Sequence, residues 1–165
     1  MGVSGCGKSS IGRLLASHLE SAFLDADDYH SVSNVEKMRA GSPLTDADRW
    51  PWLQVLAELI DQHLSSGRCL VMACSALKEA YREVLRGNHA GNVTFVLLKL
   101  SREKLMERLE ARQALGAHFM PAALLDSQLA TLEEGGRDMV VVSGENTIEE
   151  VVADILNRTI QYPTA

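Results

Sequence analysis

The residues with the clearest chemical potential stand at the start of the chain, where positions 2–9 read GVSGCGKS. This stretch matches the pattern G-x-x-x-x-G-K-[ST] at every fixed position. Glycines let a backbone wrap closely around an anion, so that successive N–H groups point at it, and a following helix adds its positive N-terminal end. We therefore predict a cradle for the phosphates of ATP. Its predicted members are Gly2, Val3, Ser4, Gly5, Cys6, Gly7, Lys8, Ser9 and Ser10.

Three side chains of this loop have predicted roles of their own. Lys8 stands where the pattern places a cation that reaches the β- and γ-phosphates, and we predict that it is catalytic. The Ser9 hydroxyl stands where the pattern places a Mg²⁺ ligand. Cys6 is either a reactive thiol at the start of a helix or a small residue that fills the loop.

An acidic cluster follows the next apolar run, 22–24. In an open parallel sheet, ligands bind beyond the carboxyl ends of the strands, which is where Asp25 and Asp27 stand. We predict that Asp25 helps to hold Mg²⁺ and that Asp27 accepts a hydrogen bond from the substrate hydroxyl that attacks the γ-phosphate. The alternative is a solvated acidic turn, which is our interpretation of Asp28.

Cationic side chains complete the candidate site. Lys78 follows the apolar run 69–74 and is either a ligand for an anionic group or a surface lysine. Arg102, Arg108 and Arg112 precede a stretch that contains glycine, which is typical of a lid that closes over phosphate, although a solvated helix face has the same pattern. Under the lid interpretation, Arg108 binds the nucleotide and Arg112 is catalytic.

Alternating helix-like and strand-like patterns must position these residues. A helical apolar stripe follows the loop, and strand-sized apolar runs recur at 22–24, 69–74, 93–98 and 139–142. Such alternation predicts a single α/β domain over 1–165, with a parallel sheet between two layers of helices. A loop of this kind normally follows a buried strand. Because only Met1 precedes Gly2, we expect the first strand to be missing from the chain.

The composition of the chain argues against two classes of partner, nucleic acids and membranes. The chain has 165 residues, with 16 Lys+Arg against 22 Asp+Glu and a net charge of −6, and it contains no basic run. A nucleic-acid binder would show a basic stripe, so we predict no nucleic-acid partner. The three cysteines are too few for a disulfide scaffold, and no apolar run is long enough for a membrane span. These features predict a cytoplasmic protein without a membrane partner.

Several longer segments resemble the gluconate kinase (gluconokinase) family, which belongs to the shikimate kinase and nucleoside monophosphate kinase branch of P-loop proteins. The resemblance covers nearly the whole chain, and GxPLxDxDRxPWL and CSALKxxYR are more specific than the loop itself. The segments that carry it are MGVSGCGKSS at 1–10, FLDADDYH at 23–30, NVEKMRAGSPLTDADRWPWL at 34–53, ACSALKEAYREVLR at 73–86 and HFMPAALLDSQLATLE at 118–133.

The resemblance implies a three-layer P-loop kinase fold and transfer of phosphate from ATP, with Mg²⁺, to the 6-hydroxyl of D-gluconate. It also implies substrate-binding helices at about 30–66, a lid at about 112–120 and a possible homodimer. The residues expected to hold the sugar acid are Asp27, His30, Arg49, Lys78 and Arg82. Two other functions stay open: a shikimate or nucleotide kinase, and a nucleotide-binding protein with impaired turnover.

Overall fold

The structure is a computed structural model that describes residues 1–114 and 124–159. Within these ranges helices alternate with short strands, as the sequence predicts. The helices are α1 (Lys8–His18), α2 (Val32–Arg39), α3 (Asp46–Ser65), α4 (Glu79–Arg86), α5 (Arg102–Ala114), α6 (Leu125–Thr131) and α7 (Ile148–Thr159). The strands are β1 (Ala22–Asp25), β2 (Leu70–Ala73), β3 (Phe95–Lys99) and β4 (Met139–Ser143).

The strands form two parallel pairs, β1 with β2 and β3 with β4. Parallel neighbours require a crossover connection, which α2 and α3 supply for the first pair and α5 and α6 for the second. The predicted α/β fold with a parallel sheet is confirmed.

Met1 lies between the two pairs of strands. Its amino group donates a hydrogen bond to the Val96 carbonyl, and its carbonyl accepts one from the Leu98 N–H at 3.1 Å. On the other side, the Gly2 N–H donates to the carbonyl of Ser75, just after β2, at 3.1 Å. Met1 therefore occupies the place in the sheet where the sequence predicts a strand before the glycine-rich loop. From this place the loop starts at the carboxyl edge of the sheet.

Helices cover both faces of the sheet. Successive residues of a strand point to opposite faces, so one strand contributes side chains to the core on both sides. In β4, Met139 packs with a core cluster formed mainly by α3 and α4, whereas Val140 and Val142 pack with a second cluster formed by α1, α5, α6 and α7. The predicted three-layer arrangement is confirmed. Among the described helices, none combines the length and apolar composition of a membrane span.

Helix α3 carries part of the candidate site, and its start is fixed by a capping box. The Thr45 hydroxyl accepts a hydrogen bond from the Asp48 N–H at 3.3 Å, and the Asp48 carboxylate accepts one from the Thr45 N–H at 2.7 Å. This reciprocal pair satisfies donors that a helix N-terminus otherwise leaves open. Lys37 of α2 also contacts the Asp48 carboxylate, at 2.5 Å, and so ties the two helices together.

Replacing the capping residue tests this arrangement. We expect Thr45→Ala to lower the free energy of unfolding by about 1 kcal/mol, because the first turn of α3 loses its side-chain acceptor. In a domain of this size that corresponds to a melting temperature lower by about 2–4 °C. Thr45→Ser keeps the oxygen and is the matched control. Equal melting temperatures for the two variants in a thermal scan would contradict the capping role.

Candidate active site

The glycine-rich loop has the conformation that an anion cradle requires. Gly2, Gly5 and Gly7 have φ angles of 131°, 85° and 97°, a region that other residues rarely adopt. Helix α1 begins at Lys8, directly after Gly7. The Lys8 ammonium donates to the carbonyls of Gly2 and Val3 at 3.0 and 2.9 Å, so it lies over the loop.

The remaining loop residues divide between core and surface. Val3 and Cys6 are buried in the core cluster of α1, α5 and α7, whereas Ser10 is exposed on α1. Because the Cys6 thiol is fully buried, the structure favours a small residue that fills the loop over a reactive thiol. Burial of both side chains leaves only the backbone of Val3 and Cys6 for the predicted contact with phosphate, which stays a prediction.

Asp25 joins the loop to the acidic turn. Its carboxylate accepts a hydrogen bond from the Ser9 hydroxyl at 2.6 Å and another from the Asp27 N–H at 3.3 Å. The second bond caps the 3₁₀ turn Ala26–Tyr29, which follows β1 directly. Both residues predicted to hold Mg²⁺, Ser9 and Asp25, are thus in contact, and Asp27 is fixed beside them.

A pocket opens at this edge of the sheet. It brings together five residues that the sequence predicts for the site, Ser4, Lys8, Asp27, His30 and Arg49. Its other lining residues are Met38, Pro43, Leu44, Ser75, Leu124, Ser127, Gln128 and Thr131.

His30 forms one wall of this pocket. Its side chain is only 3% exposed, and its ring stacks on Trp52 with centroids 4.2 Å apart. Trp52 is itself fixed, because its indole N–H donates to the Ala26 carbonyl at 2.8 Å. Burial, and then the positive charge of Arg49, lower the pKa of His30 to about 4, so the ring is neutral near pH 7. Its Nδ1 is buried without a hydrogen-bond partner among the described residues.

Three cations of the candidate site are oriented by neutral groups. Lys8 contacts loop carbonyls, Arg108 donates to the Gly144 carbonyl at 3.1 Å, and Arg49 lies 5.7 Å from the centre of the Tyr81 ring. Arg108 lies beside the loop, because its Nη1 is 3.8 Å from the position that a Cβ atom would take at Gly7. Within the described residues, none of the three cations has a carboxylate at ion-pair distance. Their charge is therefore available to an anionic ligand.

Two other predicted substrate ligands are engaged elsewhere. Lys78 forms an ion pair with Asp46 at 2.8 Å and does not line the pocket. Arg82 is fully buried and also lies outside the pocket lining. Its guanidinium donates to four carbonyls and to one carboxylate, those of Ala76, Leu77, Glu133, Gly135 and Glu79. In this structure Arg82 therefore supports the fold, and its predicted contact with the substrate stays a prediction.

The lid prediction is only partly within the described ranges. Arg112 lies near the end of α5, and its side chain makes no ion pair or hydrogen bond with the described residues. From residue 115 on, the predicted lid at 112–120 lies outside the described residues, so the catalytic role of Arg112 stays a prediction. Arg102, the first residue of α5, forms an ion pair with Asp126 of α6 on the surface.

Sequence reasoning missed the wall that α6 contributes. Ser127, Gln128 and Thr131 line the pocket, although none of them was predicted. Positions i and i+4 share one face of a helix, so the polar pair Ser127 and Thr131 could have indicated a polar face. No local pattern shows that this face meets the glycine-rich loop.

The structural role of Arg82 can be tested by its removal. We expect Arg82→Met to lower the free energy of unfolding by about 3–5 kcal/mol, because buried carbonyls lose their donor and Glu79 loses a partner. Urea titration of the purified variant measures this. Arg102→Met removes a surface ion pair and should change stability much less. A stable Arg82→Met protein with a raised KM for the acceptor would restore the predicted substrate role.

The neutral state of His30 gives a pH dependence. The unfolded chain binds a proton at His30 below its usual pKa of 6.5, whereas the folded chain binds it only near pH 4. Titration of His30 therefore leaves the free energy of unfolding undiminished above pH 6.5 and lowers it as the pH falls towards 4. Between pH 7 and 4.5, the free energy of unfolding of the wild type should fall by about 2–3 kcal/mol more than that of His30→Phe, which keeps the ring stack but does not titrate. Equal losses in urea titrations at the two pH values would contradict this.

Comparisons of the sequence with known proteins agree on one family. A family model described as shikimate kinase matches residues 4–160. The gluconokinase of Arabidopsis thaliana is 45% identical over 174 residues, which cover 95% of this chain and 92% of that protein. The thermoresistant gluconokinase of Escherichia coli (strain K12) is 40% identical and covers 94% of this chain and 89% of its own.

Solved structures agree with the sequence comparisons. A gluconokinase from Sinorhizobium meliloti 1021 is similar with a TM-score of 0.85 and 41% identity, over 98% of this chain and 89% of that one. A shikimate kinase from Aquifex aeolicus has a TM-score of 0.61 at 20% identity, covers 98% of this chain and 94% of its own, and supports the fold alone. These likenesses extend along almost the whole chain, which therefore belongs to the gluconokinase family, a group of ATP-dependent kinases with the shikimate kinase type of fold.

Proposed function

We propose that this protein transfers the γ-phosphate of ATP to the 6-hydroxyl of D-gluconate, giving 6-phospho-D-gluconate and ADP. The observation that carries the proposal is one pocket that joins Lys8 and Asp27 to Arg49, a cation without a carboxylate at ion-pair distance among residues 1–114 and 124–159. A sugar acid needs this combination, because its carboxylate requires a cation while its hydroxyl requires a proton acceptor near the phosphate.

The transfer uses residues of the glycine-rich loop, of the turn after β1 and of α5. The N–H groups at the end of the loop and in the first turn of α1 hold the phosphates, because the N–H of Ser4 is bonded to Gln128. Lys8 exchanges its loop carbonyls for the β- and γ-phosphates. The substrate oxygen forms the new bond to phosphorus as the bond between the γ-phosphorus and the β–γ bridging oxygen breaks, and Asp27 takes the hydroxyl proton. Arg108, next to Gly7, stabilises the charge on the transferred group.

The donor set fits Mg²⁺. This ion prefers oxygen ligands and binds through one or two protein groups together with phosphates and water. Ser9 and Asp25 offer such a pair of oxygens, 2.6 Å apart at the foot of the loop. When bound there, the ion neutralises phosphate charge. The described residues contain no cluster of three or more His, Cys, Asp or Glu side chains that would form an all-protein metal site.

His30 and Arg49 divide recognition of the substrate. The neutral His30 ring lines a pocket that must accept hydroxyl groups, and a hydroxyl can donate to or accept from a neutral ring. The guanidinium of Arg49 binds the carboxylate, because Lys78 is held by Asp46 and Arg82 is buried. The cytoplasmic location, the homodimer and the role of Arg112 stay predictions.

The function is tested by ADP release in a coupled assay with gluconate, shikimate and a nucleoside monophosphate as acceptors. We expect turnover with gluconate alone, and loss of that turnover in Lys8→Ala. Turnover only with shikimate or the monophosphate would indicate a kinase for a different acceptor. ATP binding without phosphorylation of any acceptor would indicate the nucleotide-binding function instead.

The carboxylate contact has its own test. We expect Arg49→Met to raise KM for gluconate about 10–100-fold, because a charge-assisted hydrogen bond is lost, with KM for ATP changed less than about twofold. Lys78→Met removes a cation that is paired with Asp46 and is the matched comparison, with a rise below about threefold. A larger effect at Lys78 than at Arg49 would reverse the two assignments.

A further inference from the structure

Helix α6 is hydrogen-bonded to the glycine-rich loop through the side chain of Gln128. The Ser4 N–H donates a hydrogen bond of 2.6 Å to Oε1 of Gln128, across 124 positions of sequence. Because the donor is a main-chain N–H group, the amide must present its oxygen and not its nitrogen. Both Ser4 and Gln128 also line the pocket. The contact thus lies where the phosphate cradle and the acceptor pocket meet.

The fold fixes α6 independently of this contact. Just beyond its end, the Glu133 N–H donates to the Leu77 carbonyl at 2.8 Å, and the Glu133 carboxylate accepts from the Glu79 N–H at 2.6 Å. The buried Arg82 holds the carbonyls of Glu133 and Gly135. These bonds tie the end of α6 to the segment that follows β2. Gln128 therefore reaches the loop from a helix whose place is already set.

Such a link matters for phosphoryl transfer. The reaction depends almost entirely on positioning and electrostatics, and a displacement of about 1 Å can cost about 100-fold in rate. A tether between the wall of the acceptor pocket and the loop keeps the attacking hydroxyl and the γ-phosphate in register. A neutral amide is suited to the task, because it accepts the N–H bond without a negative charge beside the triphosphate.

We propose that Gln128 is a positioning residue that ties the acceptor pocket to the glycine-rich loop through the N–H of Ser4. This inference rests on the proposed function for its kinetic consequence but not for the contact itself. The loop is held from α6, so that a loop carrying ATP meets an acceptor already aligned with it. Without the tether, ATP still binds, but water competes with the sugar acid for the γ-phosphate.

The kinetic test compares two substitutions in the full chain. Gln128→Met keeps the length of the side chain but removes the acceptor. We expect kcat for gluconate phosphorylation to fall about 10–100-fold and ATP hydrolysis without gluconate to change less than about threefold, so the ratio of transfer to hydrolysis falls. Gln128→Glu keeps an acceptor oxygen and adds a charge, and should raise KM for ATP about tenfold. A merely structural residue would lower transfer and hydrolysis together.

Amide hydrogen exchange tests the contact without any acceptor. In the protein without ATP, the Ser4 amide should exchange at least about tenfold faster in Gln128→Met than in wild type, and at the wild-type rate in Gln128→Glu. Asp126→Asn, on the exposed face of α6, is the control and should leave exchange and kcat within about twofold of wild type. Unchanged Ser4 exchange in Gln128→Met, or an unchanged ratio of transfer to hydrolysis, overturns the proposal. If wild type shows no turnover with gluconate, the proposed function fails, and the exchange rate alone decides the role of Gln128.

Discussion

The site depends above all on the two oxygens of one carboxylate, that of Asp25. One oxygen accepts from Ser9, the second residue of α1, and the other accepts from the N–H of Asp27 in the turn after β1. The helix that begins at the glycine-rich loop and the turn that carries Asp27, the proposed proton acceptor, are therefore joined through a single side chain. Because β1 pairs along its length with β2, the position of Asp25 is itself set by the sheet.

A second constraint fixes the wall of the pocket that His30 forms. Trp52 of α3 bonds to the Ala26 carbonyl and stacks on His30, so one ring system connects the capped helix to the acidic turn. The stack buries His30, and burial keeps the imidazole neutral. A neutral ring adds no cation beside Arg49, and a hydroxyl can still bond to it. The packing of a tryptophan thus determines a charge state in the pocket.

Much of this could be predicted from the sequence, because the informative patterns are local. The glycine-rich loop is one continuous segment, and Asp25 and Asp27 leave a strand two positions apart, so the general topology of parallel sheets brings both to one edge. The partners of individual cations could not be predicted in this way. Lys78 and Arg82 lie on neighbouring turns of the same segment, and only the tertiary fold shows that one meets Asp46 and the other a set of buried carbonyls. The role of α6 was missed for the same reason, since its partner Ser4 is 124 positions away.

The distribution of charge explains how an acidic protein holds two anions. With a net charge of −6, the field of the whole molecule repels ATP and a sugar acid, so attraction must come from cations within the site. A cation already paired with a carboxylate contributes little, which describes Lys78. Lys8, Arg49 and Arg108 are instead oriented by carbonyls or by an aromatic ring, which fix direction without cancelling charge. Neutral partners therefore separate the cations that can serve ligands from those that hold the fold, a distinction that residue type alone does not make.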